Sequence, residues 1–376
     1  MTQFTIHRSA LLPALDRVGR IVERRNTIPI LANMRMTVEG DQLRMTATDL
    51  DMEITATAEL QSAGEGDVTL PAALLGDFIK KLPESAIIEF TAGETGRIRV
   101  AAGRTRAHLP FLPPQDFPEL AGGEFVTRME IAPQALARIL STVQFAISSE
   151  ETRYYLNGIY LHRAASDGEA ALRAVATDGH RLARSEMPAP TDSGEMPAII
   201  IPRKTVAEML KLTKGIDDAE RLVLEVSAAK VRLSMPDGTV LTSKLIDGTY
   251  PDYQRVIPAS NPKRYTLKVA ALASAVDRVS TISAERGRAV KFRFGGEEVQ
   301  LECMHPDMGE ASDSVVVDGT EGEGETEIGF NGRYCHDALG AVVGENVTFA
   351  LADPGSPAVI TGANSADLFV LMPMRV

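Results

Sequence analysis

A threefold internal repeat constrains this chain more than any other feature. Ala-Thr-Asp stands at 47–49 in ATDLDMEI and returns at 176–178 in ATDGHRLA, 129 residues further on. The run DVTLPAALLGDFIKKLP (67–83) returns as AIIIPRKTVAEMLKLTK (198–214) and again as EIGFNGRYCHDALGAVV (327–343), with Pro71, Pro202 and Asn331 in matching places. The period is far longer than a solenoid unit, so each copy is large enough to carry its own core. Three copies of about 125 residues account for the 376 residues of the chain.

Each copy opens with an amphipathic helix. Leu11, Leu15, Val18 and Val22 keep the spacing of one apolar face, as do Leu136, Ile139, Val143 and Ile147, then Leu272, Val276, Val279 and Ile282. A second helix follows Pro71, Pro202 and Asn331; the prolines suit a first helical position and the asparagine an N-cap. Between the helices lie alternating runs such as RIRVAAGRTRAHL, LVLEVSAAKVRLSM and VKFRFGGEEVQLEC, whose glycine-containing breaks read as antiparallel hairpins. The fold class is therefore α+β, three tandem copies of a two-helix plus antiparallel-sheet module. Pro and Gly crowd residues 112–125 and 250–264, which sets modules at 1–126, 127–260 and 261–376.

Charge is segregated between elements. The expected helices, 11–25, 72–82, 134–148, 203–214, 270–283 and 332–343, hold 13 Lys and Arg against 6 Asp and Glu, whereas the rest of the chain holds 26 against 45. The net charge of −12 argues against a simple nucleic-acid binder, yet helices sharing one face would make that face basic on an acidic body. The plainer alternative is that long basic side chains only flank amphipathic helices. Much of the signal comes from Arg17, Arg20, Arg24 and Arg25, and from Arg203, Lys204, Lys211 and Lys214.

Cys303 and Cys335 are the only cysteines, which excludes a disulfide framework or a cysteine-rich metal site and suggests a reducing cytosol. The start MTQFTIHRSA lacks a signal-peptide pattern, and no apolar run is long enough to span a bilayer, so neither export nor membrane insertion is expected. Asn346-Val347-Thr348 matches a glycosylation acceptor by spacing alone. No phosphate loop, paired-His metal motif, nucleophile elbow or dinucleotide fingerprint is present, and no cofactor is expected. Cys335 beside His336 falls within the last copy's helix, which argues against a thiol nucleophile. Asp178, His180 and Arg181 within four residues invite a hydrolytic reading, but Asp-Gly between alternating apolar residues is first of all a hairpin turn. Two alternatives stay open: a hydrolase using Asp178 and His180, and a monomeric peptide-binding scaffold.

Read end to end, RNTIPILANM (25–34), RYYLNGIYL (153–161), ATDGHRLA (176–183), DGTYPDYQRVIP (247–258), EIGFNGRY (327–334) and FVLMPMRV (369–376) resemble the bacterial sliding clamps, the β subunits of the replicative DNA polymerase III. The resemblance implies a non-catalytic processivity factor: a head-to-tail homodimer of six modules, helices lining a hole around double-stranded DNA and sheets outside. Such a ring holds DNA topologically, so a mildly basic bore suffices and phosphate contacts need read no bases. Implied partners are the replicative polymerase alpha subunit, the clamp-loader delta subunit, and other polymerases and repair proteins carrying a short clamp-binding motif; the implied location is the cytoplasm.

Carried over by position, the partner-peptide cleft comprises Leu156, Thr177, Gly179, His180, Arg181, Leu182, Pro251, Arg255, Val256, Asn331, Tyr334, Val370, Leu371, Met372, Pro373, Met374 and Arg375. Methionines in such a cleft suit varied partners because they repack. Implied DNA contacts are Arg20, Arg24, Arg25, Lys80, Arg138, Tyr154, Tyr155, Arg203, Lys204 and Lys211. At the dimer interface Leu109 and Ile282 match apolar positions, and Arg104 and Arg106 would face Asp307, Glu310 and Asp313 across a heterologous contact. The chain departs from the family at Gly287, Gly355 and Pro357 on the cleft rim, at Glu150 and Ala72-Ala73 among DNA-facing positions, and at Ala107 in the interface.

Overall fold

The computed structural model describes the chain except residues 1, 24–26, 93–95, 121–122, 167, 195, 283–288 and 365. The first repeat runs β1 (Gln3–His7), α1 (Arg8–Val18), β2 (Asn33–Glu39), β3 (Gln42–Thr48), β4 (Met52–Glu59), β5 (Ser62–Glu65), β6 (Asp67–Pro71), α2 (Ala72–Lys80), β7 (Ile87–Ala92), β8 (Arg97–Ala102) and β9 (Thr105–Pro110). The middle repeat runs β10 (Thr127–Ile131), α3 (Pro133–Val143), β11 (Gly158–Ser166), β12 (Glu169–Thr177), β13 (Arg181–Pro188), β14 (Ile199–Pro202), α4 (Arg203–Thr213), β15 (Leu222–Val226), β16 (Lys230–Ser234) and β17 (Val240–Lys244). The last runs β18 (Lys263–Lys268), α5 (Val269–Ser280), β19 (Ala289–Gly295), β20 (Glu298–His305), β21 (Gly309–Glu321), β22 (Thr326–Asn331), α6 (Gly332–Ala341), β23 (Asn346–Leu351), β24 (Ala358–Thr361) and β25 (Leu368–Leu371). One order recurs three times: strand, helix, a set of strands, helix, three strands.

Pairing repeats with the order. The opening strand of each copy lies antiparallel to the first strand after its second helix, β1 with β7, β10 with β15 and β18 with β23. In the first two copies the central hairpin keeps one register, Thr48 opposite Glu53 and Thr177 opposite Leu182, while in the last copy His305 faces Gly309 across a turn one residue shorter. The thirteen-residue β21 corresponds to β4 and β5 run together. Its first part pairs with β20, and its end pairs with β18 after a register shift.

The sheets cross repeat boundaries. The chain packs as two compact units, one of Met1–Pro133, Thr191–Met196 and Lys211–Leu245, the other of Gln134–Pro190, Pro197–Leu210 and Ile246–Val376. In the first unit β17 of the middle repeat closes onto β4 of the first repeat. In the second unit β25 of the last repeat closes onto β13 of the middle one. The middle repeat thus divides its strands between the two units.

The apolar stripes bury as their spacing predicts. In the first unit Leu11, Leu15 and Val18 of α1 are buried with Phe4, Ile54, Leu75, Ile79 and Phe90. In the second unit α5 buries Leu272, Val276 and Val279, and Phe292, Phe294, Phe330, Phe349 and Tyr265 form a chain of ring contacts around them. Each such side chain contributes about 1.5–3 kcal/mol when removed from water.

Two expectations need correction. The first helix ends at Val18, where Gly19 caps it, and not near residue 25; Ile21 is buried in place of Val22. Pro71 and Pro202 are the last residues of β6 and β14, one position before the helices they were expected to open. Asn331 does cap α6: its Oδ1 accepts from the backbone N–H of Arg333 at 3.0 Å and Tyr334 at 3.3 Å.

Candidate functional site

The turn joining β12 to β13 is built by its own side chains. Gly179 has φ +89°, Thr177 Oγ1 donates to the Arg181 carbonyl at 2.7 Å and accepts from Gly179 N at 3.1 Å, and Asp178 Oδ1 accepts from His180 N at 2.9 Å and Arg181 N at 3.1 Å. The first repeat builds the same turn. Thr48 Oγ1 donates to Met52 O and accepts from Leu50 N, and Asp49 Oδ1 accepts from Asp51 N and Met52 N. There Leu50 stands at φ +77° in place of glycine. Asp178 therefore holds a turn, and among the described residues no hydrogen bond joins it to the His180 ring, so the hydrolytic reading has no acid–base pair to stand on.

Arg181 is the centre of this region. It is 9% exposed, and its guanidinium donates to Asp178 Oδ2 at 3.0 Å, Asp337 Oδ2 at 2.6 Å and the Phe145 carbonyl at 2.6 Å. It also lies 4.2 Å from the Tyr334 ring centre and 5.1 Å from that of Phe145. Two acids, a carbonyl and two rings satisfy the buried charge. The residue supports the cleft wall from behind.

In front of that wall, Leu156, Val175, Leu182, Ile200, Tyr250, Tyr253 and Val370 form one apolar cluster. Pro251, Arg255 and Val256 sit exposed on the segment that carries Tyr253. The Tyr253 hydroxyl accepts from Arg173 Nη1 at 3.1 Å and lies 3.1 Å from His162 Nε2; with the ring neutral and its Nδ1–H donated to the Arg163 carbonyl, the hydroxyl donates to Nε2. Tyr160 stacks on Tyr250 with centroids 4.7 Å apart. Desolvation, with the Arg173 charge beside it, lowers the His162 pKa.

The C-terminal residues bond back to the turn and to β22. After Leu371, Met372 N donates to His180 O at 2.9 Å and Met374 N to Gly329 O at 2.8 Å. Gly329 is required there, since a Cβ would come within 2.6 Å of the Met374 carbonyl. The backbone is pinned while Met372 and Met374 stay 41% and 37% exposed, and Arg375 is exposed beside them. The His180 and Tyr334 rings stack 6.4 Å apart across this region. The residues expected to form a peptide cleft all belong to the second unit, where Leu156, Leu182 and Val370 share the apolar cluster and Met372 bonds to His180. The turn's Asp178, the cluster's Val175, Ile200, Tyr250 and Tyr253, and the supporting Asp337 and Phe145 were missed. Of these, the two tyrosines of the quoted YPDY were the visible signal.

The helix cations are more committed than their sequence positions suggest. Arg138 donates to Ser185 Oγ at 3.2 Å, to the buried Asp367 Oδ1 at 3.1 Å and to the Glu186 carbonyl at 2.6 Å, which makes it a structural cross-tie. Arg203 donates to the Ile147 and Ser148 carbonyls at 2.7 and 2.6 Å, Lys80 pairs with Asp16 at 2.8 Å, and Arg17 pairs with Asp237. Arg20 is exposed but lies past the end of α1, Tyr154 is exposed, and its ring meets that of Tyr155 edge-on. Lys204 and Lys211 ride on α4. Arg24, Arg25 and Gly287 lie outside the described residues. Glu150 accepts from Arg153 Nε at 2.8 Å.

Among the strand edges left unpaired in the described residues are those of β9 and the first part of β21. β9 pairs only with β8 among the described residues, and β21 between Gly309 and Val316 pairs only with β20. Arg104 and Arg106 border the first edge, and Asp307, Glu310 and Asp313 border the second. Asp313 is already bound by Arg278 at 2.6 Å, and Leu109 is 5% exposed within its own sheet's core, so neither stands free as the sequence suggested; Ile282 is half-buried. Burial raises the Cys335 thiol pKa to about 12, which leaves it inert at neutral pH. Among the described residues no helix is long and apolar enough to cross a membrane.

Comparison with known proteins covers the whole chain. Family models for the N-terminal, central and C-terminal domains of the DNA polymerase III beta subunit match residues 2–121, 130–252 and 254–375. A beta sliding clamp of Caulobacter vibrioides is 46% identical and one of Escherichia coli 35% identical, each over 100% of both chains. Among solved structures, a sliding clamp from Bartonella birtlesii bound to griselimycin superposes with a TM-score of 0.95 at 43% identity, and the DNA polymerase sliding clamp of Caulobacter crescentus with 0.94 at 44%, again over 100% of both chains.

Proposed function

The chain belongs to the DNA polymerase III beta subunit family, the beta sliding clamps, and from that membership and its open sheet edges we propose that two copies close head to tail into a ring around duplex DNA. The family is a non-catalytic processivity subunit, and replication is its setting. The ring would tether the replicative polymerase alpha subunit, receive the clamp-loader delta subunit, and dock other polymerases and repair proteins through the cleft at His180 and Met372. Acting on a bacterial chromosome, it would work in the cytoplasm.

One observation carries the ring. At each internal boundary the last strand of one repeat closes onto the third central strand of the repeat before it: β17 onto β4, β25 onto β13. The same rule applied to the leftover edges joins β9 of one copy to β21 of another. A heterologous contact of this kind closes when the rotation permits, and three repeats per chain make a six-module ring from two chains.

The rule also sets a register. Ser243 lies opposite Met52 at the first junction and Leu371 opposite Arg181 at the second. Leu109 holds the place of Ser243 and Leu371 in its repeat, and Gly309 that of Met52 and Arg181. Leu109 then lies opposite Gly309, Ala107 opposite Ala311, and Arg106 opposite Ser312 with Glu310 diagonal on the same face. Arg106 bears on Glu310, Arg104 falls opposite Ser314 at the strand's start, and Asp313 points to the other face with Arg278.

Cysteines at Ala107 and Ala311 test this directly, because Cys303 and Cys335 are buried. Oxidation of A107C/A311C is expected to give a covalent species of twice 40.5 kDa. A species that stays at the mass of one chain, by sedimentation and on a denaturing gel, would favour the monomeric scaffold instead. Duplex contact would come from exposed Arg20 and Tyr154 and half-buried Tyr155, with Lys204, Lys211 and the flanking Arg24 and Arg25, and would be independent of sequence.

A further inference from the structure

On the face of β12 and β13 that carries Tyr253, a groove of about 580 Å³ is lined by Ser166, Glu169, Arg173, Arg184, Glu186 and Ala366 among others. Arg173 has its anion there: Nε donates to Glu186 Oε2 at 2.7 Å. Glu186 is further held by the Ser166 hydroxyl at 2.5 Å, and Asp367 close by is taken by Arg138 and Ser185. Arg184 has no such partner. Among the described residues it makes no hydrogen bond and no ion pair, and its Nε is buried unsatisfied. Burial and the neighbouring Arg173 charge weigh against its charged form, while Glu186, Tyr253 and Asp367 nearby favour it without bonding to it. An unpaired guanidinium in such a place is a cation short of one carboxylate.

The groove continues the cleft. Along β13, Leu182, Arg184 and Glu186 point to one face, because strand side chains alternate. Leu182 belongs to the apolar cluster of the cleft, and Leu368, opposite Arg184 on β25, packs against the same cluster. Arg184 is therefore two residues, roughly 7 Å, along the strand from the cleft wall. That is within reach of the residues flanking a peptide seated there.

We propose that this groove is an anion subsite of the docking cleft, in which Arg184 takes the side-chain carboxylate of an acidic residue flanking the apolar motif of a bound peptide. The inference rests on the cleft reading above. The guanidinium fork donates two parallel bonds to a carboxylate, a match that a lysine or an amide cannot make. The net charge of −12 repels acidic peptides in general, so any gain from an acidic flank has to come from a local cation.

The test is a set of fluorescent peptides with one apolar clamp-binding core, extended on either side by Asp and Glu or by Asn and Gln, titrated against the full chain and against Arg184→Gln. On the unaltered protein one acidic extension is expected to bind about tenfold tighter than its amide twin. In Arg184→Gln that advantage should vanish while the amide peptide keeps its affinity, and the thermal midpoint should not fall, since no native partner is lost. Equal affinities for the acidic and amide peptides, or an advantage that survives in Arg184→Gln, would overturn the subsite while leaving the cleft intact. Failure of every peptide, the bare core included, would overturn the cleft reading and this one with it. A lowered thermal midpoint would show Arg184 to be structural and refute its assignment as a waiting cation.

Discussion

Arg181 and Asp337 meet at 2.6 Å, the first from the start of β13 and the second from α6. This bond ties the middle repeat to the last one behind the cleft. Removing one partner from a buried network strands the other charges, so Arg181→Ala is expected to lose about 3 kcal/mol of stability, read from urea unfolding of the transition that includes α6. Arg181→Lys should recover little, because a point charge cannot serve Asp178, Asp337 and the Phe145 carbonyl together.

The His162 pKa sits below its unfolded value, so the unfolded chain takes up the proton first as pH falls. The neutral ring's acceptance from Tyr253 then stabilises fully above about pH 6.5 and is lost progressively below it, down to the folded pKa. Tyr160, Arg163, Tyr253, Arg173 and Glu186 surround the ring. Urea midpoints between pH 7.0 and 5.5 should drop more steeply in the native protein than in His162→Phe. Parallel slopes would remove the imidazole from the account.

Charge reversal at the first edge checks the ring's register. Arg104→Glu with Arg106→Glu is expected to raise the dimer dissociation constant about tenfold at low salt, with much less effect at 1 M salt, where the Debye length is about 3 Å. Asp313→Asn should do less than Glu310→Gln, since Asp313 is already bound by Arg278. Sedimentation equilibrium measures both.

Deleting residues 372–376 removes the exposed methionines and the Met374 bond to Gly329. Binding of an apolar clamp-binding peptide should fall at least about tenfold, the scale of a lost apolar anchor. The dimer should persist, because β9 and β21 lie elsewhere. Unchanged peptide affinity in this variant would dismiss the tail from the cleft.

The repeat was legible because like sequences make like pairings: Thr48 and Thr177, Asp49 and Asp178 build the same turn. Helix existence was legible for the same reason, through stripes such as Leu11, Leu15 and Val18. The end of α1 was not, because apolar spacing ran on past Gly19 although the helix did not. Arg138 read as a free surface cation because its acceptors, Asp367 among them, lie up to 229 residues away in sequence. The division of the middle repeat between two units was hidden likewise, since β17 finds β4 and β13 finds β25 only in the folded chain.

Retention on DNA tests the ring most directly. With a clamp loader and ATP, the protein should remain on nicked circular DNA through gel filtration and leave once the circle is linearised, because a topological hold ends with the circle. Equal retention on circular and linear DNA, or on neither, would contradict encirclement.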